Sequence, residues 1–162
     1  MYKVAQFFSF LSAAIHKQIS FFIVALIFFL AILLSVSVFF RYILNDSIYW
    51  SSEVARYCLV YLVFFGATMA HKNKTHIRID IILSHMSATN QNRIELLVSG
   101  LLIFFWGLVM AGCVKLLPLF MMQKTATLEI PFAVAFAAVP LSALIWILYC
   151  FDDILNVLVK KT

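Results

Sequence analysis

The sequence predicts an all-α integral membrane protein with four transmembrane helices, and two observations carry that prediction. The 162 residues are 65% hydrophobic and only 12% charged, with a mean hydropathy of +1.05. Soluble domains are about 45–50% apolar and about 25% charged, so a water-soluble fold of this size could not bury so much apolar surface. The apolar residues also fall into four runs, each long enough at about 1.5 Å per residue to cross a bilayer core of about 30 Å.

The first two runs form a predicted helical hairpin. Phe21–Phe40 carries no charge. It is too long for the apolar segment of a signal peptide, so we expect a retained helix at about residues 19–42. The second run predicts a helix at about 49–70, whose first turns contain Glu53 and Arg56.

The last two runs predict the second half of the same membrane domain, which comprises residues 1–162. We expect the third helix at about 93–117 and the fourth at about 131–155. Pro131 suits the first position of a helix, and Pro140 lies inside the fourth run, where it predicts a kink.

The segment between the second and third runs is too polar to span a membrane. Apolar side chains recur in it at i, i+3, i+4 and i+7, which is one face of a helix. We predict a short amphipathic helix at about 74–87 that lies in the membrane interface and carries His76, Arg78 and Asp80. A solvated connector is the alternative.

Lysine and arginine residues indicate the orientation. The N-terminus, the middle connector and the C-terminus together carry eight, whereas the two remaining connections carry three. Since cytoplasmic segments are enriched in these residues, both termini are predicted to be cytoplasmic. The same residues explain the formal charge of +5 without nucleic-acid binding, because the sequence has no basic stripe with interleaved aromatics.

A cluster of polar residues lies where the first two helices meet. Ionisable groups are costly inside a membrane and need a structural or functional reason. One reading is a charged patch that docks a partner or lines a polar path, and the other is an internal network that holds the hairpin. The cluster comprises Arg41, Asn45, Trp50, Glu53 and Arg56.

The sequence gives little support for a catalytic, cofactor-binding or metal-binding site. No enzyme activity, catalytic residue, cofactor or metal is therefore predicted. The four histidines lie outside the apolar runs and the three cysteines are isolated from one another. A stand-alone four-helix exporter is an alternative, although such a protein needs a deep acidic residue and the first helix has none. A four-helix redox protein is a weaker alternative.

Four pieces of sequence between residues 41 and 80 follow one another in a specific order: Arg41–Asn45 (RYILN), Trp50–Arg56 (WSSEVAR), Gly66 and His76–Asp80 (HIRID). This order resembles the DctQ/SiaQ-type small membrane subunit of tripartite ATP-independent periplasmic (TRAP) transporters. The family pattern is roughly R-Y-x-x-N, W-S-E-E-x-A-R, a span with a Gly, and H-I-x-x-D. The chain departs from it at Ser52, where the family often has an acidic residue.

The resemblance implies a function that composition does not reveal. In these systems a periplasmic protein captures an organic anion, commonly a C4-dicarboxylate or a sialic acid, and a large membrane subunit imports it, driven by sodium. This chain would be the small scaffold subunit in the bacterial inner membrane, forming a heterodimer with the large subunit, which would hold the sodium and substrate sites.

The resemblance also implies roles for particular segments of this chain. The polar cluster would order the first hairpin or contact the large subunit, and the interfacial helix would brace the scaffold against the lipid of the cytoplasmic leaflet. The outer loops near Asn45–Tyr49 and Met121–Glu129 would help to receive the loaded binding protein.

Overall fold

The computed structural model describes residues 2–73 and 88–159, and these ranges are almost wholly helical. The helices are α1 (Tyr2–Tyr42), α2 (Ser51–Lys72), α3 (Ala88–Met122), α4 (Ala133–Phe136) and α5 (Ala138–Val159). Four stretches have the length and composition to cross a membrane: Gln6–Tyr42, Ser51–Lys72, Arg93–Met122 and Ala133–Val157. The predicted all-α architecture with four membrane-spanning helices is confirmed. The predicted interfacial helix at 74–87 lies outside the described residues.

Helix α1 is longer than the span predicted at 19–42, because it begins at Tyr2 and comprises 41 residues. Residues 2–42 contain no Gly or Pro, so no helix-breaking residue separates the N-terminal extension from the predicted span. It ends near Asn45, whose φ of 53° lies in the left-handed region that asparagine tolerates better than most residues. The reversal lets the Asp46 N–H donate to the Phe40 carbonyl at 3.2 Å.

The fourth span is divided at Ala137 into the one-turn helix α4 and the long helix α5. Pro140 has no N–H, so it cannot donate to the Phe136 carbonyl as another residue would. The neighbouring bonds are intact: the Ala137 N–H donates to Ala133 at 2.9 Å and the Leu141 N–H donates to Ala137 at 3.2 Å. The interruption lies three residues before Pro140, and the kink predicted from this proline stays a prediction.

Helix α5 occupies the centre of the bundle and packs against α1, α2 and α3. Small side chains allow this close packing, since Ala138, Ser142 and Ala143 are completely buried. Helix α3 packs on α5 and α4. The contact between α3 and α5 therefore holds the two halves of the protein together.

Helices α1 and α2 pack around Leu30, Leu33 and Ala55. The Ser37 and Ser51 hydroxyls lie 2.8 Å apart, which aligns the two antiparallel helices. Large apolar side chains on the outer faces, such as Phe28 and Phe104, are exposed. Lipid covers such side chains in a membrane protein, where the backbone polar groups are satisfied within each helix.

The bundle has two chemically distinct ends. We call one the hairpin end, because it carries the 43–50 connection and the loop 123–132. The other is the termini end, where α2 finishes at Lys72 and α5 finishes at Val159. The positive-inside prediction assigns the termini end to the cytoplasm.

Candidate functional site

Glu53 connects α2 to the loop between α3 and α4 at the hairpin end. Its Oε1 accepts a hydrogen bond from the Thr127 N–H at 3.0 Å, and its Oε2 accepts one from the Leu128 N–H at 3.1 Å. Hydrogen bonds to an ionised carboxylate are stronger than neutral ones, and here both oxygens bind successive backbone groups. One side chain of α2 thus fixes the tip of a loop more than 70 residues away in sequence.

The loop that Glu53 binds is a short hairpin, which we call the outer hairpin (residues 123–132). Lys124 and Pro131 form an antiparallel bridge, and the Phe132 N–H donates to the Gln123 carbonyl at 2.8 Å. The Thr125 N–H donates to the Ile130 carbonyl at 3.0 Å, and Thr125 Oγ1 accepts from the Ile130 N–H at 3.2 Å. These bonds give the loop a defined backbone shape.

Aromatic rings support the outer hairpin from beneath. Phe120 at the end of α3 lies 4.4 Å from Phe136 and 6.2 Å from Phe132, measured between ring centroids. Phe132 also meets Tyr57 of α2 edge to face at 6.2 Å. Tyr61 donates to the Val134 carbonyl at 2.7 Å and ties α4 to α2. The hairpin end is therefore a firm platform built by α2, α3 and α4.

The other members of the predicted cluster do not converge on Glu53. Arg41 and Arg56 are exposed, and neither forms an ion pair with a described residue. Trp50 is the N-cap of α2 and remains 45% exposed, while Asn45 lies in the turn that ends α1. The three charged side chains thus form no internal network within residues 2–73 and 88–159. A contact of the cluster with a partner stays a prediction.

His76, Arg78 and Asp80 of the predicted interfacial helix lie outside the described residues. Among the described residues, no three His, Cys, Asp or Glu side chains converge as metal ligands would. The isolated cysteines are free thiols, and Cys113 and Cys150 are buried.

The termini end contains a charged cluster that the sequence reasoning missed. The Lys72 ammonium binds Asp152 Oδ2 at 2.5 Å, and Asp152 is 1% exposed. Asp152 Oδ1 accepts from the Asn156 amide at 3.2 Å, and Lys72 lies 5.3 Å from the centre of the Tyr149 ring. The oppositely charged residues at the ends of the second and fourth runs were a usable signal, because both ends were predicted to lie on one side.

His71 extends this cluster into the aromatic core. Its Nε2 lies 3.4 Å from Asp153 Oδ2 and 3.9 Å from the Cys150 sulfur. Its ring packs on Trp146 at 4.3 Å, and Trp146 stacks on Trp106 of α3 at 5.5 Å. One continuous row of side chains thus joins the end of α2, the middle of α5 and α3.

Replacing Glu53 by glutamine is expected to loosen the tip of the outer hairpin. The amide keeps one oxygen acceptor, but its NH₂ group faces a second backbone donor that it cannot accept. We expect hydrogen exchange at the Thr127 and Leu128 N–H groups to accelerate by about tenfold, as measured by mass spectrometry. The matched control is Glu129→Gln, because Glu129 is exposed on the same loop. Equal exchange in the two variants would contradict the role of Glu53.

The four spans and the charged side chains at both ends of the bundle define the class of this protein. It is a multi-pass membrane protein with charged side chains gathered at the ends of its helices. The family model for the DctQ component of tripartite ATP-independent periplasmic transporters matches residues 30–160. The chain belongs to this family.

Two relatives from Haemophilus influenzae, both described as TRAP transporter small permease proteins, agree with the family match. One is 27% identical over 121 residues, covering 74% of this chain and 68% of the relative. The other is 22% identical over 98 residues, covering 60% of this chain and 61% of the relative, so that alignment spans less than two thirds of the second protein.

Family membership has direct consequences. The chain is the small permease component of a tripartite transporter, which is a transport component and not a class of enzyme. Together with the four spans, it makes the chain a multi-pass protein of the inner membrane. The predicted family and location are confirmed.

Proposed function

We propose that this chain is the static scaffold subunit of a sodium-driven TRAP importer of an organic anion, such as a sialic acid or a C4-dicarboxylate. The scaffold supports the large membrane subunit in a heterodimer and helps to receive the periplasmic substrate-binding protein. Sodium and substrate are held by the large subunit, and this chain requires no cofactor of its own.

The observation that carries the proposal is the attachment of the outer hairpin to α2 through Glu53. A preordered docking surface binds its partner more favourably, because ordering a loop on binding costs free energy. The carboxylate holds the Thr127 and Leu128 N–H groups, and the aromatic rings of Phe120 and Phe132 support the loop. This platform suits a partner that docks and leaves repeatedly.

Transport into proteoliposomes tests the scaffold role. The large subunit is reconstituted with and without this chain, the binding protein is added with labelled substrate, and a sodium gradient is imposed. Uptake is expected only when this chain is present, and it should stop when the sodium gradient is dissipated. Full uptake by the large subunit without this chain would refute the scaffold role. Undiminished uptake without a sodium gradient would refute the coupling.

The docking role of the outer hairpin has a separate test. Glu53→Gln is compared with Glu129→Gln in the assembled transporter, and affinity for the binding protein is measured on the immobilised complex. Glu53→Gln is expected to weaken binding while the large subunit still copurifies. Unchanged affinity would leave the scaffold role intact and remove the hairpin from the docking surface.

A further inference from the structure

Helix α1 turns one stripe of its side chains toward the rest of the bundle. Leu33 and Ser37 in this stripe contact α2. At helical spacing toward the N-terminus, the stripe continues to Ile19, His16 and Ser12, and none of these three side chains is exposed. Because α1 packs against both α2 and α5, Ser12 and His16 face the space between these three helices.

His16 lies level with the charged cluster at the termini end. Helices α1 and α2 are antiparallel, and their Ser37 and Ser51 hydroxyls are in contact. His16 precedes Ser37 by as many residues as Lys72 follows Ser51, so His16 and Lys72 lie at about the same level along the bundle. Lys72 in turn binds Asp152 of α5. Polar side chains of three helices thus lie at one level.

Two polar atoms of α1 near this level are buried and have no hydrogen-bond partner among the described residues. They are the hydroxyl oxygen of Ser12 and Nδ1 of His16. Ser12 is 1% exposed, so bulk water does not reach its hydroxyl. Buried polar groups in folded proteins almost always have a partner, which is either a protein group or an ordered water molecule. The two atoms therefore require a partner that the described side chains do not supply directly.

The spacing of the two atoms fits a bridging water molecule. Residues four apart on a helix have Cβ atoms about 5–6 Å apart, and Ser12 and His16 do not bond to each other directly. One water molecule at hydrogen-bond distance from both atoms spans such a gap. Asp152 is 1% exposed, and its carboxylate can accept a further bond besides those from Lys72 and Asn156. It supplies a third partner on α5 for the same water.

We propose that a water molecule occupies this position as a structural part of the protein, bonded to Ser12, His16 and Asp152. Buried water typically makes about three hydrogen bonds, which these groups provide. The direct ion pair at the termini end joins α2 to α5, and the water attaches α1 to that pair. The site goes beyond the proposed function, because it does not depend on any partner subunit.

A high-resolution density map of the protein in lipid tests the proposal directly. We expect a water peak at about 2.7–3.2 Å from both Ser12 Oγ and His16 Nδ1. A Ser12 hydroxyl that is turned onto a carbonyl of its own helix, with no peak beside His16, would show that the inference is wrong.

Unfolding by sodium dodecyl sulfate in mixed micelles gives a second measurement. Ser12→Ala is expected to raise the equilibrium constant for unfolding about fivefold, because the water loses one of its bonds to the protein. Ser9→Ala is the matched control, since the Ser9 hydroxyl donates to the Gln6 carbonyl of its own helix at 3.0 Å, and it is expected to change the constant less than about twofold. If Ser12→Ala is as stable as Ser9→Ala, the bridge does not exist.

A double-mutant cycle tests whether Ser12 and His16 share one partner. His16→Phe keeps an aromatic ring but removes Nδ1. If both residues bind the same water, Ser12→Ala combined with His16→Phe raises the unfolding constant by less than the product of the two single effects. Ser9→Ala combined with His16→Phe is the control pair and is expected to give the product. Independent effects of Ser12→Ala and His16→Phe would refute a shared water.

Discussion

Replacing Asp152 by alanine is expected to lower the free energy of unfolding by about 3 kcal/mol. The carboxylate is 1% exposed and binds the Lys72 ammonium, so its removal leaves an ammonium in a largely buried position without a counter-charge. Unfolding by sodium dodecyl sulfate in mixed micelles, followed by tryptophan fluorescence, measures the change.

Two comparisons separate the ion pair from general damage. Asp153→Ala removes the same group one residue away, but Asp153 is more exposed and its partner His71 lies 3.4 Å from it, so a smaller loss is expected. The double variant Lys72→Met/Asp152→Leu removes both charges and is expected to be more stable than Asp152→Ala alone. If Asp152→Ala unfolds like wild type, the pair does not hold α2 against α5.

The helices could be predicted from the sequence because membrane spans have a simple physical signature. A run of about 20 apolar residues must form a helix in lipid, since every backbone group needs a partner within the segment. Phe21–Phe40 carries that signature in full. The extension of α1 back to Tyr2 carries a weaker signature of a span, because Lys3 and Lys17 interrupt its apolar pattern. The residues of this extension nevertheless favour a helix.

The contacts between helices were much harder to predict. The partners of Glu53 are backbone N–H groups of Thr127 and Leu128, which every residue except proline possesses, so they leave no mark in the sequence. The prediction from sequence therefore grouped Glu53 with Arg41 and Arg56, which are near it in sequence and opposite in charge. The structure instead pairs Glu53 with the outer hairpin and leaves both arginines exposed.

The termini end shows a different reason for a missed contact. Lys72 was counted only among the basic residues that indicate the orientation, and Asp152 was assigned no role. Their pairing depends on α2 and α5 being neighbours, which the order of the helices along the chain does not determine.

Replacing Trp146 by alanine is expected to cost about 3 kcal/mol of unfolding free energy, the lower end of the range for a buried aromatic residue. Trp146 is 6% exposed and lies between His71 of α2 and Trp106 of α3. Because α3 has its most extensive contact with α5, the cavity weakens the main attachment of α3. Trp50→Ala is the matched control, since Trp50 is 45% exposed and is expected to cost less than about 1 kcal/mol.

A local readout distinguishes a loosened α3 from uniform destabilisation. Cys113 is 6% exposed on α3, and it becomes the only thiol when Cys58 and Cys150 are replaced by alanine. In that background Trp146→Ala is expected to raise the rate of maleimide labelling at Cys113 in mild detergent, because transient separation of α3 from α5 uncovers the thiol. Labelling at the rate seen with Trp50→Ala would mean that the Trp146–Trp106 stack does not hold α3 in place.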